Sequence, residues 1–214
     1  MQRGDTYITG TALSFLSTTS RAAVANKTDG RFVITANKKN KLTMLPAVNP
    51  VSSRAAGILN LVDLKNYFAG KLMIIEEAKY QIGETAFPQT DTSYFYVKYS
   101  YNGASIPKKL DHDGSQLIIN KTELFKVDGK PIPIEEKEMT LFYRNEDKSY
   151  KITNFTPVFP DSEVLKEEIG FLFSSGSFET LESKYSAAVS FASEFYGKPE
   201  RMNFYSWLDK EFEQ

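Results

Sequence analysis

From Tyr94 to Phe159 apolar and polar positions alternate with a period of two, and turn residues interrupt the alternation at regular places. Asn102-Gly103 joins Tyr94–Tyr101 to Ala104–Ile106. Asp128-Gly129 joins Glu123–Val127 to Lys130–Ile134, and the polar stretch Asn145–Lys148 joins Met139–Tyr143 to Ser149–Phe155. Asn-Gly and Asp-Gly accept the left-handed backbone that tight hairpins require, so the segment predicts an antiparallel meander of about five to seven strands. Pro131 and Pro133 cannot donate ladder hydrogen bonds, which puts Ile132–Ile134 on a sheet edge. Upstream, Ala78, Tyr80 and Ile82 alternate with Glu77, Lys79 and Gln81, a strand with one wet face.

The pattern differs on either side of this segment. The first 45 residues read as short strands and loops: Thr6–Phe15 is Thr-rich, Asp29-Gly30 is a turn, and Arg31–Ala36 pairs with Lys41–Leu45. Pro46 and Pro50 make a connector. Ser52 or Ser53 then caps a helix to about Ala69, with Ile58, Leu61, Val62, Lys65 and Phe68 at helical spacing and Gly70 at its end. After Pro160 the period becomes helical to the end. Asp161 or Ser162 starts a helix to Leu172, Phe178–Tyr196 forms a second, and Glu200–Phe212 forms a third, with Met202, Tyr205, Leu208 and Phe212 as its stripe.

The expected fold is therefore α+β: an antiparallel, sandwich-like sheet preceded by a strand-and-helix section and followed by a C-terminal three-helix tail. The expected domains are a β-rich one over 1–157, with one helix near 53–69, and a helical subdomain over 158–214 packed on the sheet. At 214 residues, 41% apolar and 14% aromatic, the chain is large and bulky enough to fold without disulfide or metal. No apolar run reaches the length of a bilayer span.

Composition narrows the chemistry more than any motif does. There is no cysteine and one histidine, His112. Thiol nucleophiles, thiolate clusters and multi-histidine metal sites all need residues the chain lacks. Residues 1–110 carry 14 Lys and Arg against 7 Asp and Glu, whereas residues 111–214 carry 12 against 20. Such opposed halves suit an acidic partner or head-to-tail self-association. The basic residues are mostly isolated apart from Lys38-Lys39-Asn40-Lys41, which argues against a nucleic-acid partner. The chain opens without a basic, apolar leader. Its Thr/Ser/Asn-rich start and abundant tyrosine favour a secreted, periplasmic or cell-surface protein over a cytoplasmic one.

The remaining candidates are weak as chemistry. Asp111-His112-Asp113-Gly114-Ser115 resembles a calcium loop until its sixth position, Gln116, and its twelfth, Thr122, break the pattern. Ser105 and Lys108 have the spacing of a serine–lysine pair but follow a hairpin and enclose Pro107, where that pair needs a helix start. Glu76-Glu77, Glu135-Glu136 and Glu167-Glu168 could serve a carboxylate-based glycosidase only if two acids faced one cleft, and sequence neighbours diverge. No phosphate-binding glycine loop occurs. These readings imply no cofactor, no metal and no catalytic residue.

One strand suggests recognition instead. Alternation through Tyr94–Tyr101 sends Phe95, Val97, Tyr99 and Tyr101 to one face and Tyr94, Tyr96, Lys98 and Ser100 to the other. The second set is an amphipathic strip able to stack on sugars or anchor a protein. Phe204 and Trp207 lie off the stripe of their helix and form a second candidate contact. The expected function is a non-catalytic binding or assembly domain of a bacterial envelope or secreted protein. Its partner would be protein or carbohydrate, with binding at Tyr94, Tyr96, Lys98, Phe204 and Trp207. A carboxylate-based glycoside hydrolase and a nucleic-acid accessory protein are the alternatives.

Overall fold

The computed structural model describes residues 8, 11–16, 21–26, 30–35, 42–43, 58, 60–174 and 176–212. The chain divides into two compact units, Met1–Pro46 and Ala47–Gln214. In the first, β1 (Arg21–Asn26), β2 (Gly30–Thr35) and β3 (Leu42–Thr43) form an antiparallel sheet in sequence order. The β2–β3 pair, with Phe32 opposite Thr43, is the predicted hairpin. Pro46, Pro50, Ser52, Ser53 and the Lys38–Lys41 turn lie outside the described residues.

The second unit begins with α1 (Leu61–Phe68), β4 (Gly70–Met73) and β5 (Glu77–Gln81). The long hairpin of β6 (Ser93–Tyr101) and β7 (Ala104–Lys109) follows, then β8 (Asp111–Asp113) and β9 (Gln116–Asn120). One turn of helix, α2 (Lys121–Leu124), leads into β10 (Lys126–Val127) and β11 (Lys130–Pro131). Next come β12 (Met139–Asn145), β13 (Lys148–Val158), α3 (Ser162–Ser174), α4 (Leu181–Phe195), β14 (Lys198–Pro199) and α5 (Arg201–Phe212). The fold is mixed α+β with a helical C-terminal tail.

A six-stranded sheet, ordered β14-β4-β13-β12-β6-β7, organises the unit, and β5-β9-β8 make a smaller one. The run β13-β12-β6-β7 keeps the predicted antiparallel pairing but has four strands rather than five to seven and is not a meander, because β6 lies beside β12 while β8 to β11 leave for other sheets. The sheet as a whole is not antiparallel, however: β4 runs parallel to both β13 and β14. The physical reason is visible in β4. Leu72 enters one apolar cluster and Met73 the other, so the strand is covered on both faces and shows no alternation.

The first cluster joins the inner residues of the large sheet (Phe95, Val97, Leu141, Phe155) to Tyr80 and Ile119 of the small sheet and to Leu64 and Phe68 of α1. The second is built by α3, α4 and α5 over Met73 and Val158, at the ends of β4 and β13; it includes no residue of β6 or β12. The helices therefore cover one end of the large sheet. β13 runs unbroken to Val158, through the 157/158 boundary, and the helices belong to the same compact unit as the sheet.

Hairpin chemistry behaves as its residues dictate. Asn102 (φ 50°) and Gly103 (φ 77°), like Asp128 (φ 49°) and Gly129 (φ 76°), adopt the paired left-handed conformation of a tight turn. Around Asp128-Gly129 the predicted strands shrink: Glu123 belongs to α2, and after Pro131 no ladder continues through Ile134. Two prolines in three residues leave too few N–H groups to hold a strand.

The first helix also starts later than its periodicity suggested. Ile58 bridges Ile82 in extended conformation, and the Asn60 side chain accepts from the Val62 and Asp63 amides, capping α1. Leu64 and Phe68 form the buried stripe, while Leu61 and Val62 are exposed. Asp161 caps α3 through the Glu163 and Val164 amides, and Thr180 and Ser183 form a capping box on α4.

Gly197 enters β14 at φ +97°, and a Cβ there would lie 2.6 Å from Lys71 Cβ; a Cβ on Gly103 meets nothing within 4 Å. Gly197→Ala adds a clash with the β4 backbone to its conformational cost and should lose about 3 kcal/mol in urea unfolding, against about 1 kcal/mol for Gly103→Ala. Equal losses would show that β14 does not hold β4 this closely.

Candidate functional site

The β6 strand has one dry and one open side. Phe95, Val97 and Tyr99 are buried in the sheet core, and the Tyr99 hydroxyl donates to the Leu124 carbonyl at 2.7 Å. Tyr94, Tyr96, Lys98 and Ser100 point the other way. Register determines what joins them, because residues directly opposite in an antiparallel ladder share a face.

On β12, Thr140 is opposite Lys98, Phe142 opposite Tyr96 and Arg144 opposite Tyr94. On β7, Lys109 is opposite Tyr96. The β12–β13 ladder shifts register between Leu141 and Phe142, which brings Lys151 opposite Phe142. One row across four strands thus reads Lys109, Tyr96, Phe142, Lys151: two aromatic rings with a lysine on each side.

At the centre of this row the two rings touch, and cations stand over neighbouring rings. Tyr96 and Phe142 stack with centroids 5.0 Å apart and planes 10° from parallel. Lys98 Nζ lies 5.1 Å from the Phe142 centroid and 5.7 Å from that of Tyr96. Lys109 Nζ lies 4.6 Å from the Tyr94 ring, and Arg144 stands over the same ring at 5.9 Å. Arg144 Nε also donates to the Glu146 carbonyl. Among the described residues no carboxylate forms an ion pair with Lys98, Lys109, Arg144 or Lys151. Elsewhere some lysines have one, as Lys71 with Glu136, Lys121 with Glu76 and Lys166 with Glu211 do, and others, such as Lys65, Lys130 and Lys148, have none among the described residues.

Tyr94, Tyr96 and Lys98 therefore come together, and the structure adds Phe142, Arg144, Lys109 and Lys151 to them. The signal for the additions lay in β12 itself, where Thr140, Phe142 and Arg144 alternate with Met139, Leu141 and Tyr143. Only the cross-strand register, which single-strand alternation does not contain, brings them beside Tyr96.

Phe204 and Trp207 do not join this face. Phe204 is 2% exposed, packs with Leu208 in the helical core and stacks on Trp207 at 5.7 Å. The buried stripe of α5 is Phe204 and Leu208, and Met202, which the sequence placed inside, is 69% exposed. Trp207 is half-buried, with its indole N–H donating to Ser162. The pair ties α5 to α3 and to the helical core.

The other sequence candidates are dispersed. Asp111, His112 and Asp113 form the exposed edge strand β8. Ser105 and Lys108 lie three residues apart on β7 and so face opposite sides of it. Glu77 accepts from Asn120, Glu135 pairs with Lys137, and Glu168 accepts from the Tyr196 hydroxyl. Among the described residues no three His, Asp or Glu side chains gather as a metal would require.

The chain matches no family model, no curated protein and no solved structure. Geometry and chemistry alone carry the functional argument.

A second polar cluster lies under α1 and β14. Tyr80 packs on Phe68 and Tyr67, and its buried hydroxyl has no hydrogen-bond partner. Burial, with Glu200 nearby, raises both the Tyr67 and Tyr80 phenols well above the ordinary tyrosine value. Lys198 donates to the Tyr67 carbonyl and lies 4.3 Å from its ring centroid, and Asn203 clamps the backbone of Lys79 through both its amide groups. The cluster is chiefly a joint between helix and sheet.

Two predictions come from these arrangements. Tyr80→Phe removes an unsatisfied buried hydroxyl and should gain about 1 kcal/mol at neutral pH. Tyrosines with raised folded-state pKa contribute fully below the unfolded value near 10, begin to lose that contribution above it, and have lost it once pH passes the raised folded value. The parent should therefore weaken above about pH 10 more steeply than Tyr80→Phe, as measured by urea unfolding across pH. On the sheet face, replacing Lys98, Lys109 and Lys151 together by Ser should cost no more than about 2 kcal/mol, the worth of the exposed cation–π contacts of Lys98 and Lys109, since no ion pair among the described residues is lost. A large loss would assign those lysines to the fold.

Proposed function

We propose that this chain is a non-catalytic binding or assembly domain whose working surface is the open face of β7, β6, β12 and β13. The observation that carries this reading is the set of four cations, Lys98, Lys109, Arg144 and Lys151, that the register brings to one sheet face with the stacked Tyr96–Phe142 pair, none of them ion-paired with a carboxylate among the described residues. A folded surface ordinarily intersperses charges of both signs. Like charges held together around aromatic area suit a partner of opposite sign and raise its rate of encounter.

The partner class is an acidic protein or glycan. We take as scaffold a sandwich-like apposition of the large and small sheets, supported by their shared apolar cluster. We place the protein in the cell envelope or outside the cell, a reading supported by the absence of cysteine and the Thr/Ser/Asn-rich start. Self-association through the opposed charge of the two halves would use the same basic face. Nucleic acid is the second reading, favoured by the interleaving of lysine and aromatic side chains on one sheet.

The test is an array of acidic and neutral glycans and peptides probed with the purified chain. Acidic members should retain it, more weakly as salt rises, and Lys98→Glu should reduce retention at least about fivefold. Retention unchanged by Lys98→Glu would move the site elsewhere, and no retention by any member would end the reading. Turnover of a glycan, abolished by a single carboxylate-to-amide change, would establish the hydrolase instead.

A further inference from the structure

The row Lys109–Tyr96–Phe142–Lys151 has a length as well as a chemistry. It crosses four adjacent strands, so its two lysines stand three interstrand steps apart, about 14 Å. An extended peptide advances about 3.4 Å per residue and returns to the same face every second residue. Its positions i and i+4 are then about 13.6 Å apart on one face, with i+2 midway between them.

We propose that this face receives an extended acidic peptide segment lying across the strands. Carboxylates at i and i+4 meet Lys109 and Lys151, and an apolar or aromatic side chain at i+2 rests on the Tyr96–Phe142 pair. Lys98 and Arg144 flank the row on opposite sides and take further acidic groups. The inference rests on the reading of this face as the binding surface and goes beyond it by naming the ligand and its spacing.

Charge and ring geometry both favour a peptide. Neutral ligands would leave four cations uncompensated. Nucleic acids stack their bases on ring faces left open to solvent. Here Tyr96 and Phe142 present their faces to each other, Lys98 stands over both, and Lys109 and Arg144 stand over Tyr94. Tyr96 is itself only 9% exposed. What reaches the ligand is ring edge and cation, which fits a carboxylate–apolar–carboxylate sequence better than a column of bases or sugars.

The experiment is fluorescence anisotropy at about 20 mM and about 150 mM salt. The probe is a peptide containing Glu-Ser-Phe-Ser-Glu and a neutral fluorophore. A permuted peptide, Glu-Glu-Ser-Phe-Ser, keeps the composition and destroys the spacing. The first should bind more tightly than the second, and Lys109→Ser combined with Lys151→Ser should weaken it about tenfold. Circular dichroism and a thermal melt confirm that the variant is folded. Equal binding of the two peptides, or binding indifferent to the double variant, overturns the proposal. Oligothymidylate and a heparin fragment are titrated in parallel. If either binds more tightly than the peptide and is lost in the double variant, the peptide inference fails while the face stands as the binding surface. If no probe responds to the variant, both fail.

Discussion

The register of β12 is the constraint on which this molecule turns. With β6 on one side and β13 on the other, β12 must place Met139, Leu141 and Tyr143 inside, since these residues are buried with Phe95 and Val97 in the shared core. A slip of one residue against β6 would send Thr140, Phe142 and Arg144 into that core and expose the apolar set. The core thus specifies the register by its demand for dry side chains. The opposite face, with its rings and cations, inherits its arrangement from that decision. The candidate face is positioned by the same hydrophobic energy that makes the sheet.

Uneven covering of the sheet follows from the same economy. β4 and β13 bury residues on both sides because α3, α4 and α5 supply enough apolar surface to close over Met73 and Val158. Their apolar stripes are spent on one another and on that end of the sheet. Across β6 and β12 no helix of the second core packs, and the outward positions there are tyrosine, lysine, threonine, phenylalanine and arginine. Tyr96 and Phe142 reduce their exposed area by stacking, and Lys98 lays its charge over them. The local solution is stable without a cover, which leaves the face available for a partner.

How far the sequence reveals this depends on how local each interaction is. The β6–β7 hairpin, the β12–β13 pair, the two faces of β6 and the cap at Asp161 follow from turn chemistry and periodicity, all encoded within a few neighbours. The parallel pairing of β4 does not, since a four-residue run buried on both faces has no period to read. Nor does the start of α1, where Ile58 leaves the helical pattern because Ile82 offers it a bridge. On α5, Leu208 is buried and Tyr205 and Phe212 pack against the core as the expected stripe has them, but Met202 is exposed and Phe204 is buried instead. A stripe of aromatic residues on two sides of a short helix leaves its rotation to tertiary packing. Half of the candidate face, Tyr94, Tyr96 and Lys98, is legible because it lies on one strand. The other half, Phe142, Arg144, Lys109 and Lys151, becomes part of it only through register between strands.

The scarcity of reactive side chains and the character of this face point the same way. Catalysis in a chain of this composition would fall to carboxylates, and the carboxylates traced above are engaged singly: Glu136 by Lys71, Glu76 by Lys121, Glu168 by Tyr196, Glu211 by Lys166. Each is dispersed to a separate point on the surface, where it balances a cation or satisfies a hydroxyl. The four cations of the sheet face, like Lys65, Lys130 and Lys148 elsewhere, have no such ion pair among the described residues. Exposed ion pairs contribute little to folding, so leaving these four unmatched costs the fold almost nothing. Under the proposed reading, their field is what an acidic partner would meet.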